Sequence, residues 1–161
     1  MDLIIRPVRG SDIDAIVELS LLAFLSIFTS FREILGSDVY ETIWPDWRVS
    51  QKSGVEQLSR GDNHTFAFVA ECDSDVVGFI AYKLDFESKN GTIQFLVVHP
   101  DYQRKGIGTE LNKFALSMIR ESGMKMAIAE TGGDESHLPA RKSYEKAGYT
   151  GLPLVRYFKK L

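Results

Sequence analysis

Apolar positions change their spacing several times along this chain, and each change marks an element. Leu3-Ile4-Ile5, followed by Arg6 and Pro7, predicts a short strand over residues 3–6. Ser11 and Asp14 have the spacing of a helix start: the Ser11 hydroxyl can accept from the third helical N–H, and Asp14 lies in the first turn. Ile13, Ile16, Val17, Leu21, Phe24 and Phe28 then fall on one helical face. Between residues 29 and 60 the aromatics Phe31, Tyr40, Trp44 and Trp47 crowd together, and Gly36, Pro45 and Gly54 divide the stretch into short helical pieces.

Strand patterns take over next. Residues 66–71 and 76–84 predict strands around a polar turn at 72–75. Asn90-Gly91 is a hairpin signal before a third strand at 92–98, which His99-Pro100 ends. Ile107, Leu111, Phe114, Ala115, Met118 and Ile119 return to helical spacing, with Gly123 at the C-terminal position. Residues 126–130 predict a strand and 131–134 a loop. Pro139 suits the first turn of a helix that Gly148 ends, and 152–158 predict a last strand. The order β-α-α-β-β-β-α-β-α-β is an α/β (α+β) fold, a mixed sheet with helices on its faces, in one domain over residues 1–161.

Composition narrows the functional classes. The chain has 161 residues, 44% hydrophobic and 25% charged, the profile of a globular protein. Nineteen basic against 22 acidic side chains leave a net charge of −3, the wrong sign for a protein that grips nucleic acid by its phosphates. The single cysteine, Cys72, excludes an intrachain disulfide and fits a reducing compartment. The apolar start is too short for a signal segment, and the greasiest stretch, residues 19–28, is about half a membrane span. These features predict a cytoplasmic protein with no membrane partner.

Chemistry concentrates between Val97 and Gly108. A strand ends, a loop follows, and a helix starts at Gly106-Ile107-Gly108 behind Arg104 and Lys105. Free N–H groups of a first helical turn, close backbone approach at glycine and two local bases make a phosphate or pyrophosphate cradle. The dinucleotide fingerprint is absent, because Leu111 stands where its third glycine belongs. No Gly-Lys-Ser/Thr triplet marks a P-loop.

Gln103-Arg104-Lys105-Gly106-Ile107-Gly108 resembles the acetyl-CoA signature Q/R-x-x-G-x-G/A of the GNAT N-acetyltransferases. Ala140-Arg141-Lys142-Ser143-Tyr144-Glu145-Lys146-Ala147-Gly148-Tyr149 resembles that family's second segment, A-x-x-x-Y-x-x-x-G-F/Y, at the family's spacing. The resemblance implies two adjacent strands that splay apart. Pantetheine of acetyl-CoA would lie in the wedge against backbone at Leu96, Val97 and Val98. The pyrophosphate would sit on the N–H groups of Gln103, Arg104, Lys105, Gly106, Ile107, Gly108 and Thr109. Backbone donors of the splayed strand would face the thioester carbonyl and stabilise its oxyanion.

The same resemblance places Tyr144 where members carry the tyrosine that protonates the departing thiolate, a transfer between groups of ordinary pKa near 10 and 8.5. The family's strand glutamate is replaced by Thr92. Glu130 is the best remaining carboxylate, read equally as a base or as an orienting group. Asp134, Glu135, Glu87 and a water relay stand in reserve. His137 occupies the position of an asparagine that contacts pantetheine. None of the three histidines has a metal-ligand partner at helical spacing, so no metal site is expected. Trp44 to Trp47 reads as core before acceptor lining. The implied activity is transfer of acetyl from acetyl-CoA to a small-molecule or peptide amine in a ternary complex. The alternative is a non-catalytic acyl-CoA-binding module. Family members are often dimers, some through the last strand, so a homodimer is compatible.

Overall fold

Sequential hairpins build most of the sheet. The structure, a computed structural model that describes residues 2–161, contains strands β1 (Leu3–Pro7), β2 (Thr65–Cys72), β3 (Asp75–Asp85), β4 (Asn90–Val98) and β5 (Met126–Ala129). They lie side by side in chain order. β1 to β4 are antiparallel neighbours, and β5 joins β4 in parallel. A parallel join needs a crossover, here α4 (Ile107–Glu121).

The sheet is covered on both faces. Val69, Phe79, Ala81 and Val97 meet Ile16, Val17 and Leu19 of α1 (Ile13–Leu35) and Val55 of α3 (Trp47–Arg60). Ala70, Ile80, Tyr82 and Ile93 meet Ile107, Leu111, Ala115 and Ile119 of α4. Central β3 is therefore buried from Val77 to Tyr82, where an edge strand would alternate. The short helix α2 (Ser37–Ile43) bridges α1 and α3, and α5 (Leu138–Lys146) packs beside α4.

The fold class is the mixed sheet expected, with five local corrections. First, residues 152–158 form no strand. Pro153 offers no ladder donor, and the segment runs towards α2, where Lys160 pairs with Asp38 at 2.5 Å and Phe158 lies 6.2 Å from Trp44. Second, three helices rather than two separate β1 from β2: Gly36 at φ +77° ends α1, residues 44–46 part α2 from α3, and Gly54 is accommodated inside α3. Third, Asn90-Gly91 is not the hairpin turn. The turn falls at residues 86–89, with Lys89 at φ +58°, and Gly91 lies in β4 directly beneath Ile119. Fourth, Ser11 does not cap α1; it lies in a 3₁₀ turn, and the Asp12 carboxylate accepts from the Arg9 N–H at 2.6 Å. Fifth, α1 is 23 residues long. Gly10–Leu35, with mean hydropathy 1.8, is long and apolar enough to cross a bilayer, more than the half-span expected, yet Ile16, Val17, Leu19 and Ser20 lie buried within the fold.

Asp12 also anchors the start of the chain. Arg6 grips it with two N–H···O contacts of 2.7 and 3.0 Å and reaches Glu71 of β2 at 2.5 and 2.8 Å. The hydrogen bond from Arg6 holds Asp12 below the usual carboxylate range against the opposing effect of its burial, with the Arg9 N–H helping. Removing the Asp12 charge leaves Arg6 with Glu71 alone and weakens the charge-assisted bonds at Asp12. Asp12→Asn should cost about 2 kcal/mol in urea unfolding at pH 7. A depressed carboxylate contributes stability above its unfolded pKa of about 3.9 and loses it as pH falls through the folded value. The gap between wild type and variant should therefore narrow in melts repeated at about pH 3.

Candidate functional site

The pairing of β4 with β5 stops early. Asn90, Gly91, Thr92 and Ile93 oppose Met126, Ala127, Ile128 and Ala129, and there β5 ends. On its other side β4 continues along β3, but with a register break: Tyr82 opposes Ile93, Ala81 opposes Phe95, and Gln94 has no opposite residue. This bulge reverses the side-chain alternation, so Ile93 faces α4 whereas Phe95 and Val97 face α1. Beyond it, outward N–H and C=O groups of residues 94–98 have no strand beside them. A wedge opens between the two strands, with the β4 backbone along one side.

The loop at the wedge mouth is preformed. Gln103 donates from Nε2 to the Val98 carbonyl at 3.1 Å, tying the loop to the strand end. His99 Nδ1 accepts from the Asp101 N–H at 3.2 Å, and Lys105 Nζ lies 4.6 Å above the Tyr102 ring. Arg104 at φ +61° and Gly106 at φ +86° turn the backbone into α4. Intrahelical bonding starts with the Glu110 N–H on the Gly106 carbonyl at 3.0 Å, so the preceding N–H groups of the first turn are free for an anion. The space beside Gly106 is open: a Cβ there would meet nothing within 4 Å. The Gln103 N–H is already spent on the Pro100 carbonyl at 3.2 Å, so the expected set narrows to residues 104–109, which lie on one continuous cradle. The side chains of Val97 and Ile107 are buried in the two cores, which leaves only their backbone for a ligand.

Across the wedge, the chain leaves β5 through Glu130. This carboxylate is exposed and makes no side-chain hydrogen bond among the described residues. Tyr144 lies on α5 with its ring edge-on to Tyr149, centroids 5.3 Å apart. Burial pushes its hydroxyl up to about 12, so the phenol stays protonated at neutral pH. Complete proton transfer from it to a thiolate of pKa about 8.5 would run uphill by about 5 kcal/mol, so its useful contribution is a hydrogen bond that strengthens as charge reaches sulfur. Tyr149 donates to Asn112 at 3.4 Å, behind this face.

One cluster escaped sequence reasoning. Asp134 accepts from Ser30 Oγ at 2.6 Å, from Ser136 Oγ, and from His137 Nδ1 at 2.6 Å. Burial alone would raise this carboxylate, but the two hydroxyls and the imidazole outweigh it and hold the group well below the usual range. His137 also stacks on Phe31 at 5.6 Å, so its ring is fixed from two sides. The spacing Asp-x-x-His was a visible signal. Ser30, 104 residues away, was not.

The Acetyltransferase (GNAT) family model matches residues 36–149. The chain belongs to the GNAT acetyltransferase family. Within it, N-alpha-acetyltransferase 30 of Xenopus laevis is 36% identical over 95 residues, which cover 56% of this chain and 34% of that protein. The uncharacterized N-acetyltransferase YsnE of Bacillus subtilis is 30% identical over 96 residues, 60% of this chain and 62% of that protein. The match therefore spans about a third of the first relative and less than two thirds of the second. The GNAT fold is shared with the PaiA N-acetyltransferase of Thermoplasma acidophilum, solved in complex with coenzyme A: TM-score 0.74 and 19% identity over 93% of this chain and 91% of that one. GNAT proteins use acetyl-CoA, and the open cradle at the α4 N-terminus fits its pyrophosphate. Gly106→Ala should weaken CoA binding at least tenfold by calorimetry. Left-handed strain of about 1–2 kcal/mol should lower the Tm by only a few degrees.

Proposed function

We propose that the protein transfers an acetyl group from acetyl-CoA to a primary amine within a ternary complex, without a covalent enzyme intermediate. The observation that carries this reading is the divergence of β4 from β5 beside a preformed anion cradle. The wedge would hold pantetheine along residues 96–98, and the cradle would hold pyrophosphate on residues 104–109. Unpaired N–H groups of β4 are suited to receive the oxyanion that develops at the thioester carbonyl. Tyr144 stands on α5 as the hydrogen-bond donor to the departing sulfur. Holding amine and thioester in line supplies much of the rate. Exposed Glu130 and Glu135 favour a cationic acceptor in the site's approaches. Relatives from Xenopus laevis and Homo sapiens are named N-alpha-acetyltransferase 30, which puts peptide N-termini first among acceptors to try.

Thiol release should require both acetyl-CoA and an amine, tested across N-terminal peptides, amino acids, polyamines and other small amines. A protein that binds acetyl-CoA by calorimetry yet turns over none of these would be an acyl-CoA-binding module instead. Tyr144→Phe should lower kcat by about 10²-fold with the acetyl-CoA Kd changed less than threefold, and an unchanged kcat would remove Tyr144 from the reaction.

A further inference from the structure

We propose that His137, oriented by Asp134, is the general base that takes the proton from the attacking amine. This inference rests on the amine-acetylation reading above. It begins from the tautomer. Asp134 is ionised and can only accept, so the proton of a neutral His137 ring lies on Nδ1, and Nε2 carries the free lone pair. Nε2 makes no hydrogen bond among the described residues and is not among the buried polar atoms left without a partner. The His137 and Asp134 side chains are 13% and 12% exposed, so the pair is sheltered while its basic nitrogen remains reachable.

The cluster's order separates it from a nucleophilic triad. Both serines bond to the carboxylate: Ser30 and Ser136 donate to Asp134 Oδ2, while Oδ1 receives the imidazole. Ser136 Oγ also lies 3.3 Å from Nδ1, on the side of the ring away from Nε2. Neither hydroxyl is therefore placed for activation by Nε2. What remains is a base with a fixed ring plane and a fixed tautomer.

The surrounding chain is built around this pair. A Cβ on Gly132 would collide with Nδ1 of His137 and Oδ1 of Asp134. Arg141 of α5 donates to the carbonyls of Gly132 and Asp134, both at 2.6 Å, which pins the loop. From α1, Ser30 and Phe31 face the cluster. Phe31 continues a row of rings through Phe28 at 5.7 Å and Phe24 at 6.4 Å to Phe95 at 5.1 Å, on the unpaired stretch of β4. The imidazole thus ends a row of rings that starts at Phe95 on the α1 face of the sheet. His137 is the N-cap residue of α5, the helix that carries Tyr144. Glu130 and Glu135, the nearest rival carboxylates in sequence, are exposed and held by no side-chain hydrogen bond among the described residues.

The step balances. The neutral amine nitrogen bonds to the thioester carbon and passes its extra proton to Nε2. The C–S bond breaks with its electron pair on sulfur. The thiolate, held by a hydrogen bond from Tyr144, takes its proton from the imidazolium through water. Amide and thiol are the products.

The test combines kinetics with the unliganded protein. Imidazole ¹⁵N NMR of wild type should show a neutral His137 ring protonated on Nδ1, with that proton strongly downfield. Asp134→Asn should lose this signature. With the best acceptor from the panel, His137→Gln should lower kcat by about 10²- to 10³-fold at saturating acetyl-CoA and abolish the acid limb of its pH profile. Asp134→Asn should lower kcat less, through loss of ring orientation. Retained kcat and an unchanged pH profile in His137→Gln would overturn the assignment while leaving acetyl transfer standing, and so would an Nε2-protonated ring in wild type. If wild type binds acetyl-CoA but acetylates no amine, both readings fall together. Should His137→Gln not fold, the wild-type tautomer and the Asp134→Asn profile decide.

Discussion

Everything functional here depends on two parallel strands that stop being neighbours. A strand pair ordinarily ends when both strands end. Here β4 runs on for five residues after β5 has finished, and a single unopposed residue, Gln94, turns it at that point. The bulge does two jobs. It frees a stretch of backbone for a ligand, and by reversing alternation it sends Phe95 towards α1 and keeps Ile93 beneath α4. The open backbone costs little, because β3 pairs with β4 on both sides of the bulge. The site is thus a local interruption held in place by the β3–β4 hairpin.

Much of this was legible in the residue pattern. Strands β1 to β5 and helices α4 and α5 follow from periodicity, and the cradle follows from glycines behind two bases at a strand–helix junction. The failures share a cause: local signals lost to packing. Asn90-Gly91 carries the strongest turn chemistry of its region, yet Ile119 needs the space over Gly91, and the turn moves four residues earlier. Gly54 sits in α3 because Val55 and Trp47 are buried, and that burial outweighs a glycine penalty of about 1 kcal/mol. Residues 152–158 have strand-like composition, but Pro153 and the contacts with Asp38 and Trp44 direct them elsewhere.

The candidate site divides along the same line. Backbone features were readable because a glycine or a helix start announces them locally. Side-chain roles were not. Glu130 has the right chemistry one residue beyond β5, but no hydrogen bond orients it, whereas His137 gains its orientation from Asp134, Ser30 and Phe31. Two of those three come from α1, and no spacing rule links residue 30 to residue 134. The aromatic stretch, read first as core, is largely that: Trp47 is 7% exposed and stacks on Phe28 at 4.4 Å.

The hydrogen bond from Ser30 to Asp134 also bears on assembly. The hairpins of β2, β3 and β4 join residues close in sequence and can form as soon as they exist, whereas this bond closes a loop of 104 residues. A chain still emerging from the ribosome can complete its meander long before the Asp134 loop has been made. In such an intermediate the carboxylate lacks the Ser30 hydroxyl, and the imidazole lacks the Phe31 ring. The ordering of His137 therefore belongs to the last stage of folding, when the first long helix closes over a loop from the far end of the chain.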